Sequence, residues 1–318
     1  VFNSFGLEAS KYISIKEVNG QNTFNIRNQF VENFKRIKLL DFNKHDKVFE
    51  SVNFNTNDVT NRVFLSTETF NKDKFNLEND WTIETYFRFD KSKTKMFSNS
   101  QSLLRIDRKD SLGADFDKPY VNLVFTRNNK NVEKGTLKLL VKINNNDLLE
   151  STINNFNALN GCLYYVCLRK QLNTTTQKYE YDLFVTPAGS LSYVSSNSLK
   201  ISTSQNHDFS VPATPTTPGI DNIYRIFIGE YKYQDEILAP QNSDLYITEF
   251  QGKIAKLRAY DKYCEDNLLR IKSKDIDFIG EDTKKISLDR LKINIDMSDK
   301  FLDNIDLSGS GNKLSLYN

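Results

Sequence analysis

The residues with the clearest chemical potential are acids that share a strand face. In KYEYDLFVTP (178–187), Glu180 and Asp182 alternate with Tyr179, Tyr181, Leu183 and Val185, so a period of two puts both acids on one side. Two carboxylates on one face can act as nucleophile and acid/base across a glycosidic bond. This pair is expected to line a solvated face instead. A second group, DRKDSLGADFD (107–117), gathers Asp107, Asp110, Asp115 and Asp117 around Gly113. Such oxygens are of the kind that hold calcium, but the spacing is not that of an EF-hand, and the group otherwise reads as solvated, turn-forming acids. DIDFIGED (275–282) gathers Asp275, Asp277, Glu281 and Asp282 with equally irregular spacing. Sugar sites pair exposed rings with amides and carboxylates, and Tyr231 and Tyr233 in GEYKYQDE are the candidate ligand-binding rings.

Other chemistry finds little support. The two histidines, His45 and His207, stand far apart, which leaves little for general acid–base catalysis. No nucleophile elbow, phosphate-cradling loop or His-Glu zinc motif occurs. Cys162, Cys167 and Cys264 are odd in number and irregular in spacing, so they read as buried free thiols rather than a disulfide framework. The 318 residues carry 43 basic and 41 acidic side chains, and a net charge of +2 argues for neither nucleic acid nor an anionic membrane as partner. No run approaches the ~18 apolar residues of a membrane span, so no membrane insertion is expected. Heavy use of Asn, Lys, Ile, Asp and Phe, with 2 Met and 1 Trp, is the bias of a low-GC genome. The chain starts at Val1 rather than Met, and it reads as a fragment or processed product of a longer protein.

The elements that must position these residues are mainly strands. WTIETYFRF (81–89) places Trp81, Ile83, Phe87 and Phe89 on one face, against Thr82, Glu84 and Arg88 on the other. YVNLVFT (120–126) follows, with a turn at RNNK. GTLKLLVKINNND aligns Leu137, Leu139, Val141 and Ile143 before an Asn-rich hairpin loop. GCLYYVCLRK (161–170) is apolar on both faces, as an inner strand is. YRIFIGEY (224–231) is another buried strand. Long helical patterns are rare, the clearest being RNQFVENFKRIKLL (27–40) and the second CEDNLLRIKSK (264–274). SQNHDFSVPATPTTPGID (204–221) holds Pro212, Pro215 and Pro218 and reads as an exposed loop, with a subunit-contacting arm as the alternative.

Three pieces in order then resemble one family. FNLENDWTIETYFRFD (75–90) is similar to the opening strand of laminin-G-like, or concanavalin A-like, jelly-roll modules. LNGCLYYVCLRKQLNTTTQKYEYDLFVTP (159–187) resembles their central hairpin. RIFIGEY and FQGKIAKLRAYDKYCEDNLL resemble their closing strands and short helix. The departures are Gly161-Cys162-Leu163 where a Trp is usual, Thr186-Pro187-Ala188-Gly189 in place of a Val-Asn-Gly turn, and Ala255 in place of Asp. The resemblance implies a mostly β fold, an antiparallel two-sheet jelly-roll sandwich with a few short helices. It also implies calcium sites at the rim and ligands, usually glycans or proteins, on loops or on a sheet. Glucan-cleaving relatives carry a third acid after the spacing of Glu180 and Asp182, and Val185 departs from that pattern. INIDMSDKFLDNIDLSGSGNKLSLYN (293–318) looks like the first hairpin of such a module through Asp306, Ser308, Gly309, Gly311 and Asn312.

The expected organisation is therefore a linker or tail of a preceding unit over 1–44, partly helical, then a sandwich over 45–275. Residues 276–318 would form a linker and the first hairpin of a following module, with added edge strands on the present sandwich as the alternative. The expected role is non-catalytic binding or assembly within a virion, as a tail fibre, appendage or capsid-surface protein. Its partners would be other protein subunits or a cell-surface glycan. A purely structural role is a competing expectation. An extracellular or cell-surface adhesin or toxin receptor-binding module is a third, and a carbohydrate-active enzyme comes last.

Overall fold

The computed structural model describes residues 39–41, 64–67, 75–89, 100–108, 120–127, 134–143, 148–158, 161–188, 197–206, 224–229, 247–248, 250, 252–279, 290–297, 307–308 and 314–317. All belong to the compact unit Lys38–Asn318. Two sheets make up the fold. The first contains β1 (Leu40–Asp41), β3 (Trp81–Phe89), β8 (Tyr164–Asn173), β9 (Lys178–Pro187), β10 (Asn197–Thr203), β13 (Gly252–Tyr260) and β14 (Leu291–Asp296). Its order is β1-β13-β3-β8-β9-β10, with β14 also paired to β13. The second contains β2 (Phe64–Thr67), β4 (Ser100–Arg108), β5 (Tyr120–Arg127), β6 (Gly135–Lys142), β7 (Leu148–Phe156), β11 (Tyr224–Ile228), β12 (Ile247–Thr248) and β15 (Leu314–Tyr317). Its order is β15-β2-β11-β4-β5-β6-β7. Among the described strands only β12 on β4 is parallel. This is the mostly β, two-sheet antiparallel sandwich expected from the alternation.

Alternation decides what enters the core. Trp81, Ile83, Phe87 and Phe89 of β3 pack with Val166 and Leu168 of β8, and meet Leu104, Ile106, Val121, Phe125 and Leu139 of the second sheet. The sheets touch directly where the Phe89 and Phe125 rings lie 4.6 Å apart. Each such side chain removed from water contributes about 1.5–3 kcal/mol. Trp81, fully buried as expected, donates from Nε1 to the Leu77 carbonyl at 3.1 Å. The turn before it is fixed by Asn76, whose Oδ1 accepts from the Glu78 N–H at 2.9 Å.

Both faces of β8 are apolar because the outer face of the first sheet is covered as well. Helix α1 (Asp266–Lys274) lies on it. Leu269 of the helix packs with Tyr86, Tyr165, Cys167, Phe184, Ala255 and Tyr260. The piece that resembles the family's closing strands thus runs from β13 through a short link into this cover. Its entry is steric: a Cβ on Gly252 would sit 2.2 Å from the Arg88 carbonyl oxygen and 2.6 Å from the Phe250 ring, and the backbone has φ +155°. Ala255 is buried in the second apolar cluster, on a stretch of β13 where the register against β3 shifts.

Several expectations change. β14 pairs antiparallel with β13, from Lys256↔Asp296 to Tyr260↔Leu291, and β15 pairs with β2 from Leu314↔Thr67 to Tyr317↔Phe64. These strands add edges to the present sandwich rather than opening a hairpin of another module. Ile293 and Ile295 are completely buried in the same core as Trp81, which is why the pairing is local. Leu40, the last residue of the expected helix over 27–40, is in strand β1 opposite Ile254, and 27–38 lie outside the described residues. Cys162 is exposed, unlike the buried Cys167 and Cys264.

Lys170 is a further departure from the alternation rule, since it lies on the core face of β8 and is fully buried. Its ammonium donates to the carbonyls of Leu77 at 3.0 Å and Glu78 at 2.8 Å, and lies 5.3 Å from the Tyr179 ring centroid. Burial lowers its pKa to about 7, against the raising influence of Asp80 and Glu78. An unfolded lysine titrates near ~10.4, so above pH ~7 the unfolded chain binds more protons and stability rises with pH. Between pH 7 and 8 the urea midpoint of the native protein should climb, and this slope should vanish in Lys170→Met. The comparison with the variant isolates the effect, because burial raises the Cys167 and Cys264 thiols and pulls the other way at higher pH.

Candidate functional site

The outer face of the first sheet carries charge in two zones. Under α1 lies Glu84, completely buried, with Lys272 Nζ at 3.0 Å and Arg258 Nη1 at 3.3 Å. Tyr165 and Tyr260 donate their hydroxyls to it at 2.7 and 3.1 Å. Burial alone would raise the Glu84 carboxyl, but the two cations and the hydrogen bonds from Tyr165 and Lys272 outweigh it and hold the value low. Arg258 also donates to the carbonyls of Ile276 at 2.6 Å and Phe278 at 3.2 Å, and Tyr86 donates to that of Lys272 at 2.7 Å. These bonds fasten the helix and the chain after it onto the sheet. The arrangement is fully buried and paired, and its chemistry is structural.

Beyond the helix, on β8, β9 and β10, lie the acids singled out in the sequence. Glu180 accepts from Lys200 Nζ at 2.7 Å, Asn173 Nδ2 at 2.8 Å and Gln171 Nε2 at 3.0 Å. Burial would raise its carboxyl, but these bonds lower it, so it stays ionised. Asp182 accepts a short hydrogen bond from the Tyr263 hydroxyl and lies 3.7 Å from Arg169 Nη2. Arg169 stacks over the Tyr263 ring at 4.4 Å and ties the start of α1 through Cys264 O and Asp266 Oδ1, both at 2.7 Å. Glu180 and Asp182 do share an outward face, but they are 5% and 7% exposed rather than solvated. Their partners come from neighbouring strands and from the link before α1. An ionised Glu180 can accept protons or hydrogen bonds, and it is not poised to donate one.

The second sheet has the more unusual outer face. Ser102, Arg105, Tyr120, Asn122, Val124 and Leu140 point away from the core and yet are all buried. Arg105 and Asn122 are direct cross-strand partners, and Asn122 is opposite Leu140 on β6. Asn122 Oδ1 accepts from the Ser102 hydroxyl at 2.9 Å. Its Nδ2 is buried and has no hydrogen-bond acceptor among the described residues. The Arg105 guanidinium lies 4.4 Å from the centroid of the Tyr120 ring. A buried donor without an acceptor costs about 1–3 kcal/mol, so such an atom in mid-sheet calls for an explanation. The sequence marks it faintly, as a single amide within the apolar strand YVNLVFT.

The residues proposed from sequence are placed less fully. Tyr231, Tyr233, Asp110, Asp115 and Asp117 lie outside the described residues. Asp107 is in β4, opposite Arg225 of β11. Asp277 forms an ion pair with Lys256 at 2.7 Å. Among the described residues, no group of three or more His, Cys, Asp or Glu side chains could hold a metal ion.

Fold and site together define a β-sandwich with polar constellations on both outer faces. No family model matches the chain, and no curated protein does. Solved structures similar to it include the enzymatically active domain of tailspike protein 2 from bacteriophage CBA120, at 12% identity and a TM-score of 0.33, covering 62% of this chain and 24% of that one. The chain thus spans about a quarter of that relative's length. The PL-14 alginate lyase of Aplysia kurodai is similar at 10% identity and a TM-score of 0.27, over 47% of this chain and 67% of the lyase. The β-glucanase of Bacillus licheniformis matches at 10% identity and a TM-score of 0.23, over 52% and 67%. The resemblance holds at the level of a β-rich sandwich and not of laminin-G in particular. The expectation that the chain is not an enzyme is corrected by the same comparison, since all three are enzymes or an enzymatically active domain.

Proposed function

We propose that the chain engages a carbohydrate polymer beside Glu180 and Asp182 on the outer face of its first sheet, at the surface of a virion. The carrying observation is the ionised Glu180 carboxylate, held by Lys200, Asn173 and Gln171, whose own side chains reach the surface. Around it stand groups by which sugars are held: the amides of Asn173 and Gln171, the half-exposed Lys200 ammonium and the partly exposed Tyr263 ring. The virion setting, as a tail fibre, appendage or capsid-surface component, is supported by the low-GC composition and by the buried thiols of Cys167 and Cys264, which form no disulfide.

Affinity electrophoresis in gels cast with alginate, dextran sulfate or a mixed-linkage β-glucan tests the binding. At least one polymer should retard the native protein, and Lys200→Ala combined with Asn173→Ala should remove most of that retardation. A protein that migrates unchanged through every polymer would overturn the reading. Incubation with the same polymers, followed by a count of new chain ends, reads cleavage. A signal lost in Glu180→Gln would place it on the strand of the acid pair.

A further inference from the structure

We infer that the polymer engaged beside Glu180 and Asp182 is an uncharged, hydroxyl-bearing chain rather than an acidic or a cationic one. This rests on the carbohydrate reading above and names its ligand class. The charges of the site are matched within the protein. Glu180 pairs with Lys200 at 2.7 Å, and Arg169 lies 3.7 Å from Asp182 and 2.7 Å from Asp266. The alternation of β9 brings the exposed Lys178, opposite Asn173, to the same face. Arg169, Lys178 and Lys200 thus balance Glu180, Asp182 and Asp266, and no net charge is left to draw in a charged polymer. The hydrogen-bonding groups agree. Partly exposed Gln171 on β8, Glu180 on β9 and exposed Ser202 on β10 form one cross-strand row. Its two surface members, an amide and a hydroxyl, both donate and accept, as the hydroxyls of a sugar do. Asn173 Oδ1 already accepts from the N–H groups of Thr175 at 3.0 Å and Thr176 at 3.1 Å, so its amide faces Glu180 as a donor. A carboxylate or sulfate can only accept, and along this row it would lie against Glu180 as a like charge. An ammonium can only donate, and it would compete with Lys200 for the same carboxylate.

The test is binding of the whole chain to dextran, a mixed-linkage β-glucan, dextran sulfate and alginate at matched concentration. Dextran and dextran sulfate share a backbone and differ in charge. At least one neutral polymer should bind about tenfold or more tighter than both acidic ones, because like charges brought together are costly. Its affinity should hold as sodium chloride is added, since no ionic contact is there to be screened. Gln171→Ala combined with Ser202→Ala should weaken it several-fold, and both side chains reach the surface, so the core is untouched. Glu180→Gln leaves the face with a net positive charge and should raise alginate binding. Tighter binding of an acidic polymer by the native protein, falling with salt, would overturn this inference and leave the carbohydrate reading standing. Neutral binding that the double substitution leaves unchanged would also overturn it, by placing the polymer elsewhere. Absence of binding to all four would remove the carbohydrate reading itself.

Discussion

Replacing Glu84 by alanine should destabilise the fold by about 3–5 kcal/mol, because it strands two buried cations without a counter-charge. Lys272 and Glu84 are completely buried, and Arg258 nearly so. Neither cation can turn to solvent, since Arg258 is held by the Ile276 and Phe278 carbonyls and Lys272 lies 3.7 Å from the Tyr260 ring centroid. A loss of that size is a large share of the ~5–15 kcal/mol that keeps an ordinary domain folded. Urea unfolding followed by circular dichroism measures it. Glu84→Gln keeps the shape and removes the charge, and should still cost most of the loss. A cost below about 1 kcal/mol would show that the pair contributes no more than a surface ion pair does. The pH dependence has a fixed sign. The folded carboxyl is held below its unfolded value of ~4.3, so its contribution is complete above that pH and is lost as pH falls through the folded value. The midpoint of the native protein should therefore drop on acidification below pH ~4, and part of that drop should be absent in Glu84→Gln.

A chain that stops after Arg290 should fail to reach the native state. The shortening removes Ile293, Ile295 and Met297, all completely buried in the main core. Each such apolar side chain is worth about 2–5 kcal/mol when truncated to alanine, so three together match or exceed the whole stability of a domain. It also strips the pairing of β13 from Lys256 to Tyr260, leaving backbone donors and acceptors beside a hydrophobic interior. Met297 additionally donates its N–H to the Ala255 carbonyl at 3.0 Å, at the irregular stretch of β13. The expected result is an aggregated or protease-sensitive product, compared by limited proteolysis with the full chain. A shortened protein with native dichroism and a sharp unfolding transition would instead mean that β14 is dispensable.

That second result bears on what the sequence could disclose. A period of two identifies residues 293–295 as a strand, but an alternating strand looks the same whichever sheet receives it. Only the burial of Ile293 and Ile295 against β13 assigns it to this sandwich. Trp81, Ile83, Phe87 and Phe89 were legible because one face of β3 is uniformly apolar. The outer face was not, because the partners of Glu84 stand near the other end of the chain, at Arg258 and Lys272, and no local spacing joins them. For the same reason Glu180 and Asp182 looked like solvated acids, since the residues that cover them, Lys200, Arg169 and Tyr263, come from separate segments. Asn122 was hidden more deeply. An amide in a strand is ordinary, and its lack of an acceptor depends on every neighbour in space.

The pairing of β2 with β15 also has a kinetic meaning. Phe64 is matched to Tyr317, and Thr82 to Tyr260. Contacts this remote in sequence close late, and chains rich in them fold on the slow side of the range for their size. As the chain emerges from the ribosome, no described strand covers the margin of β2 away from β11 until residues 314–317 have been made. During that interval an open, hydrogen-bonding strand margin is presented to other nascent chains, the kind of surface that promotes misassembly and engages chaperones. The yield of this protein in a cell should accordingly respond more to slower synthesis and lower growth temperature than to any gain in its final stability.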